Sequence, residues 1–186
     1  MQQAAQGKPI VQHLHFSSLT TIAGSSNSYV EVSTGSSLPG KTLSSGSYAP
    51  EVLRNLVFLD GSYGHARWLF ENNDNVLQKV DKLYESGDVT KSVVAIYLEV
   101  TRGDSNKDGS VDEDDAQIPA MTHVDGSGFT ELSAPVDRIL QQSVSADGKR
   151  VGLLEQDGNK LLYREYAVDT FAKVAEQTVT EIKQTQ

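Results

Sequence analysis

An acidic stretch at residues 103–117, GDSNKDGSVDEDDAQ, carries the residues whose types and spacing could do chemistry. Carboxylate or amide side chains occupy alternate positions in its first half, and a glycine follows the third of them. Calcium binds oxygen ligands, which a short loop supplies from alternate side chains, one backbone carbonyl and a final carboxylate. The spacing therefore predicts a Ca²⁺ site. Its ligands would be Asp104, Asn106, Asp108, Ser110 through its carbonyl, Asp112 directly or through water, and Asp115.

The register of this stretch resembles an EF-hand-type calcium loop, with Gly109 at the sharp turn and Val111 as the apolar anchor. Asp115 stands where glutamate is usual, and this version resembles the D-x-N-x-D-G-x5-D loops of dockerin repeats. Pro119 opposes a long helix after the loop, and strand patterns flank it on both sides. We therefore expect an isolated calcium loop inserted in a β-hairpin. The alternative is a solvated acidic turn that holds no ion.

The elements around the stretch repeat a single plan. Segments 56–70, 120–133 and 164–178 each contain an apolar strand, a turn with aspartate and a second strand. Strands at 92–101 and 149–156 precede the last two segments. In the final unit a tight DGN turn connects the first two strands. The acidic stretch occupies the same place in the middle unit. For residues 74–91 the apolar spacing fits a two-turn helix, with a strand and loop as the alternative.

SADGKRVGLLEQ at 145–156 and THVDGSGFTELSAP at 122–135 resemble the repeats of TolB-like β-propellers. The resemblance covers residues 92–180 and, more loosely, residues 53–70. It implies propeller blades, and a closed propeller needs at least about four of them. We count three blades in this chain, so the ring is incomplete or open unless the N-terminal third adds a divergent blade. We expect an all-β, propeller-like fold of antiparallel blades with at most one short helix. Residues 1–27 would form a flexible lead-in and residues 28–186 a single domain.

Composition restricts the class of protein. The chain has 186 residues, a net charge of −9 and no cysteine, which excludes disulfides and cysteine-ligated metals. The negative charge repels nucleic acids and anionic membranes, and no apolar run is long enough for membrane insertion. The polar N-terminus holds no signal peptide, as in a cytoplasmic chain or an exported one whose signal has been removed. The calcium loop and the small polar residues at 17–50 favour a periplasmic or extracellular location.

Other candidate sites are weaker. His13 and His15 have the spacing of two zinc ligands on one strand face, but no third ligand is near in sequence, so we interpret them as a surface pair. Trp68, with Phe58 and Phe70, is interpreted as core. No set of nucleophile, base and acid is legible. We therefore expect a non-enzymatic, calcium-stapled β domain that binds a protein or small molecule, with strand edges available for homo-oligomers. The alternative is an enzyme or enzyme subdomain of hydrolase type that uses a propeller face.

Overall fold

The computed structural model describes residues 14–35, 51–112 and 114–183. These residues form three antiparallel sheets, which we call sheet 1 (β1–β5), sheet 2 (β6–β9) and sheet 3 (β10–β13). The strands are β1 Leu14–Phe16, β2 Thr20–Thr21, β3 Ser28–Thr34, β4 Val52–Leu59, β5 Ala66–Trp68, β6 Val76–Tyr84, β7 Val93–Thr101, β8 Ile118–Thr122, β9 Thr130–Glu131, β10 Arg138–Val144, β11 Arg150–Asp157, β12 Lys160–Ala167 and β13 Lys173–Glu181.

Sheets 2 and 3 are built on the same plan. Each is a meander in which consecutive strands are neighbours, β6-β7-β8-β9 and β10-β11-β12-β13. The tight turn after Asp157 joins the middle strands of sheet 3, and residues 103–117 join the middle strands of sheet 2. In sheet 1 the order is β1-β3-β4-β5, and β2 also pairs with β3. The repeated unit expected from the sequence is confirmed, and the acidic stretch lies in a β-hairpin.

The segment at residues 74–91 forms a strand and a loop, the second of the two structures that the sequence allowed, and not a two-turn helix. Val76–Tyr84 pairs with β7 along its whole length, with bulges after Leu77 and Leu83. A single turn of 3₁₀ helix, Glu85–Gly87, then leads to the next strand. The apolar positions fit a helical period, but β7 offers an edge on which every residue of β6 can find a backbone partner. Tertiary pairing therefore overrides the local pattern.

The core lies in two layers between the three sheets. β7 contributes to both, because successive side chains of a strand point to opposite faces. Ile96, Leu98 and Val100 pack against sheet 1, whereas Ala95 and Tyr97 pack against sheet 3. All five side chains have no exposed surface. The expected all-β, propeller-like architecture is confirmed, and the three sheets form an open stack rather than a closed ring.

Two turn glycines fix the distance between neighbouring sheets. Gly126, in the β8–β9 turn of sheet 2, has φ +75°, and a Cβ atom there would lie 2.3 Å from Phe58 Cδ2 of sheet 1. Gly148, in the β10–β11 turn of sheet 3, has φ +70°, and a Cβ atom there would lie 2.1 Å from Ser86 N of sheet 2. Only glycine combines this backbone conformation with so close an approach. Each Asp-Gly turn thus packs directly on the preceding sheet.

Residues 14–27, which the sequence assigned to a flexible lead-in, contribute β1 and β2 to sheet 1.

Trp68 was expected in the core with Phe58 and Phe70, and this prediction is wrong for the tryptophan. Phe58 and Phe70 are buried, but Trp68 is 45% exposed because it points away from sheet 2, on a face of sheet 1 on which no other described sheet packs.

Candidate metal centre

The acidic loop, residues 103–117, leaves β7 and returns to β8 at one end of sheet 2. Arg102, the first residue after β7, donates to Glu131 of β9 and to Asn75 Oδ1 at 3.2 Å. These contacts fix the start of the loop against both edges of the sheet. The predicted ligands therefore project from a rigid base.

The first half of the loop is folded around Asp104, Asn106 and Asp108. The Asp104 carboxylate accepts hydrogen bonds from the backbone N–H groups of Asp108, at 3.2 Å, and Gly109, at 2.9 Å. Asn106 Oδ1 accepts from the N–H of Asp108 at 2.9 Å, and Asp108 Oδ1 accepts from the N–H of Ser110 at 2.8 Å. Each of these predicted ligands thus accepts a hydrogen bond from the backbone of a later residue of the loop, which holds the chain in consecutive tight turns.

Backbone conformation is consistent with this tight curl. Lys107 has φ +64° and Gly109 has φ +96°, so two left-handed residues stand two positions apart. The glycine is the residue that the sequence places at the sharp turn, where a side chain would oppose this conformation. Lys107 adopts the left-handed region at a cost that the surrounding hydrogen bonds must offset.

Asp115 ties the end of the loop to its beginning. Its Oδ1 accepts from the N–H of Ser105 at 2.6 Å, from Ser105 Oγ at 3.0 Å and from the N–H of Asn106 at 3.2 Å. Its Oδ2 accepts from the N–H of Asp112 at 3.0 Å. The residue has no exposed surface. The N–H of Asp112 and then those of Asn106 and Ser105 hold the pKa of the Asp115 carboxyl below its usual range.

The remaining predicted residues lie further out. Asp112 is half-buried, and its Oδ1 accepts from the N–H of Asp114 at 3.1 Å. Ser110 is exposed, and Val111 is half-buried. Asp114 is exposed and lies 3.7 Å from Arg138 of β10. Glu113 lies outside the described residues.

Ser105 and Gln117 were missed by the sequence analysis, although both organise the loop. Ser105 Oγ donates to Asp115 and accepts from the N–H of Ala116 at 2.8 Å. Gln117 exchanges two backbone hydrogen bonds with Val136, at 2.8 and 2.9 Å, and its Oε1 accepts from the N–H of Ile139 at 2.8 Å. No spacing rule marks either residue, because their partners are distant in sequence. Gln117 attaches the loop of sheet 2 to the first strand of sheet 3.

The fit of the loop to a metal ion is partial. Within residues 14–35, 51–112 and 114–183, no group of three or more histidine, aspartate or glutamate side chains is gathered closely enough to hold an ion. Each carboxylate oxygen has two lone pairs, however, and the hydrogen bonds from backbone N–H groups occupy only part of this capacity. The donor set is entirely oxygen, which suits calcium and not a soft metal. His13 lies outside the described residues, and His15 lies in β1 opposite Ser33.

Two clefts open at the other end of the stack, among the aspartate turns. One, of about 460 Å³, lies between sheets 1 and 2 and is lined by Asp60, His65, Arg67 and Asp125 with apolar neighbours. The second, of about 710 Å³, lies between sheets 2 and 3; Lys149 and Arg150 line it. The hydroxyl of Ser62 and the N–H groups of Gly64, His65 and Ser62 lower the pKa of the Asp60 carboxyl. These are the places where a small molecule could be enclosed.

Comparisons with known proteins do not assign a family. No family model and no curated protein matches the chain. Among solved structures, a luciferin-regenerating enzyme is similar to 91% of this chain, with a TM-score of 0.42 and 8% identity. The chain spans 62% of the length of that protein. Among the described residues, no helix has the length and apolar character needed to cross a bilayer.

Proposed function

We propose that this chain is a calcium-binding β domain, in which Ca²⁺ staples the β7–β8 hairpin through the acidic loop. The ligands would be Asp104, Asn106, Asp108, the Ser110 carbonyl, Asp112 and Asp115, as the spacing indicates. The observation that carries the proposal is the closure of the loop by Asp115. The carboxylate of Asp115, the last predicted ligand, is buried and accepts hydrogen bonds from the backbone N–H groups of Ser105 and Asn106. It therefore lies beside the backbone that carries Asp104 and Asn106, the first two predicted ligands.

Charge repulsion explains why an ion would stabilise this arrangement. Asp104, Asp108, Asp112 and Asp115 are held within one short loop, in which Lys107 is the single basic residue. Arg138 is 3.7 Å from Asp114, which is outside the predicted ligand set. A divalent cation would offset the mutual repulsion of the carboxylates and stabilise the folded hairpin by mass action. Asn106 and Asp108 are exposed, so their side chains can reorient towards an ion at little cost.

A structural role for the ion follows from where the loop is attached. Gln117 ties the end of the loop to Val136 and Ile139 at the start of sheet 3. An ordered loop would therefore also order the junction between sheets 2 and 3. The domain would act as a binding or scaffold module for a protein or small molecule, in the manner of TolB-like propellers. A calcium-dependent fold suits the periplasm or the extracellular space, where calcium is plentiful.

Thermal unfolding of metal-stripped protein tests the proposal. At a calcium concentration one hundred times Kd, binding would stabilise the fold by about 2.7 kcal/mol. For a domain of this size that free energy corresponds to an increase in Tm of roughly 5–10 °C. Magnesium at the same concentration should have a smaller effect, because it prefers to keep its waters and a strict octahedral geometry.

Two variants with the same loss of charge make the test specific. Asp108→Ala removes a predicted ligand and should abolish the calcium-dependent rise in Tm. Asp114→Ala removes an exposed carboxylate of the same loop that is not a predicted ligand, and should retain the rise. An equal response of wild type to calcium and magnesium, or an equal response of both variants to calcium, would show that the loop is a solvated turn.

A further inference from the structure

Among the described residues, no other sheet packs on the face of sheet 1 that points away from sheet 2, and this face carries apolar side chains. We call it the outer face of sheet 1. Phe16 of β1 and Trp68 of β5 are 62% and 45% exposed, yet their ring centroids are only 6.3 Å apart in an edge-to-face contact. Their strand partners, Val32 and Val57, are buried. The two rings thus converge from opposite edges of the sheet over its central strands.

No sheet in the described part of the chain packs on the face of sheet 3 that points away from sheet 2 either. We call it the outer face of sheet 3. Leu154 of β11 and Tyr163 of β12 are paired at its centre and half-buried. A Cβ atom on Gly152 would lie 2.4 Å from Tyr163 Oη, so the tyrosine ring lies flat on the sheet over this glycine. Tyr163 donates to Glu165 at 2.9 Å, and Arg150 lies 3.3 Å from the same carboxylate, which compensates the charge on this face.

Inside the stack, each interface joins two different faces of successive sheets. Sheet 1 packs through Leu56 and Phe58 on one face of sheet 2, and the other face of sheet 2 packs on Val151 and Leu153 of sheet 3. The turns repeat this directionality, because Gly126 of sheet 2 contacts sheet 1 just as Gly148 of sheet 3 contacts sheet 2. The outer faces of sheets 3 and 1 therefore correspond to the two sides of an interface of this kind, and no described sheet packs on either of them.

We propose that two copies of this chain associate head to tail, with the outer face of sheet 3 of each copy packed on the outer face of sheet 1 of the other. The three sheets that the described residues form give six in two copies, within the range of roughly four to eight blades that closed propellers contain. Contacts between unlike surfaces form a closed ring when the rotation returns to its start. Both contacts in this dimer continue the sheet-on-sheet packing that the chain already uses internally.

The chemistry of the two faces favours a second copy over a charged or polar partner. The chain carries a net charge of −9, so acidic surfaces of two copies repel each other. Two copies are therefore expected to associate through surfaces that carry little charge. On the outer face of sheet 1, Leu14, Phe16 and Trp68 are exposed without charge. Tyr163 presents a flat aromatic surface on the outer face of sheet 3, which suits edge or offset contacts with Phe16 and Trp68. The sequence suggested association through strand edges, whereas this contact uses the faces.

Sedimentation equilibrium of the full chain over a range of concentrations tests the proposal. Wild type should show a reversible dimer and no larger species, because the ring closes. Trp68→Gln alters the outer face of sheet 1 and Leu154→Gln that of sheet 3, and each variant alone should be monomeric because both of its contacts are damaged. Val89→Gln removes an apolar side chain that is 72% exposed on neither face, and should leave the dimer unchanged. Circular dichroism verifies folding, and Ala175→Gln on exposed β13 replaces Leu154→Gln if the latter unfolds.

Mixing the two variants separates a dimer that pairs unlike faces, sheet 3 on sheet 1, from a dimer that pairs like faces. A mixed dimer of Trp68→Gln and Leu154→Gln has one contact with both faces altered and one with both faces intact, so an equimolar mixture should dimerise although neither variant does. A wild type that stays monomeric at all concentrations overturns the proposal. So does a dimer that is lost in only one of the two variants, or a mixture that fails to associate. The single tryptophan gives a second readout, because its fluorescence should shift to the blue on association.

Discussion

The guanidinium group of Arg164 on β12 forms a hydrogen-bonded ion pair with the carboxylate of Glu155 on β11, and the glutamate side chain has no exposed surface. Arg164 Nε also donates to Glu176 Oε2 on β13 at 3.2 Å. Within the described residues, Glu155 Oε1 accepts no hydrogen bond. Burial raises the pKa of the Glu155 carboxyl, although the charge of Arg164 opposes this. The interface between sheets 2 and 3 therefore contains a buried charge that depends on a single partner.

Arg164→Met should be strongly destabilising. The substitution leaves the Glu155 carboxylate buried and unpaired, which typically costs about 3–5 kcal/mol. Urea denaturation at neutral pH measures this loss in the free energy of unfolding. The matched control is Glu155→Leu combined with Arg164→Met, which should recover most of the lost stability because neither charge then remains buried. Equal losses in the single and double variants would contradict this account.

Glu99→Gln should stabilise the protein at neutral pH. Burial raises the pKa of the Glu99 carboxyl, although Lys79, 3.8 Å away, and Tyr97 favour its charged form. Because the folded-state pKa is above the unfolded value, the wild type loses stability as the pH rises from about 4.3 through the folded pKa. The glutamine variant has no such loss, so its advantage in urea denaturation should grow from about pH 4 to pH 7. Glu85→Gln, at an exposed position, is the control and should show no comparable trend.

Asp147→Asn should make the protein less sensitive to acid. Ser145 Oγ, at 2.6 Å, and the N–H of Lys149, at 3.0 Å, lower the pKa of the Asp147 carboxyl. A lowered folded-state pKa gives stability that is complete above the unfolded value of about 3.9 and is lost as the pH falls through the folded value. Asparagine keeps the acceptor oxygen without ionising, so Tm should fall less steeply below about pH 4. Glu181→Gln, at the exposed end of β13, should retain the wild-type slope.

Gly126→Ala should weaken the contact between sheets 1 and 2. The added Cβ would lie 2.3 Å from Phe58 Cδ2 at a residue with φ +75°. Overpacking together with the positive φ should cost roughly 2–4 kcal/mol in urea denaturation. Gly158→Ala is a matched control, because Gly158 has φ +60° and open space around its Cα. That control should lose only about 1 kcal/mol, the conformational part of the cost.

Much of the local structure could be predicted from the sequence because it depends on neighbouring residues. Asp60, Asp125 and Asp147 each accept hydrogen bonds from the second residue after them, which is what the repeated aspartate turns indicate. The calcium-type spacing likewise predicts a loop whose ligands bind the backbone of their successors, and Asp104 and Asp108 do so. The presence of an ion in that loop stays a prediction.

The helix considered for residues 74–91 shows where local pattern fails. Val80 and Leu83 have the spacing of one helical face, and β6 nevertheless pairs with β7 through Lys79, Val80 and Leu83. The choice depends on β7, a strand that begins nine residues after β6 ends. Periodicity over a short window carries no information about that partner.

The sequence by itself determined most strands outside β1, β2 and β6, the aspartate turns and the register of the acidic loop, because backbone preferences and short-range hydrogen bonds decide these features. Only the tertiary structure decided that Trp68 is exposed, that Glu155 and Arg164 meet in a buried pair, and that Gln117 ties the loop to sheet 3. Each of these depends on which face of a sheet another sheet covers. A strand pattern distinguishes two faces, but the packing of distant segments selects the one that is buried.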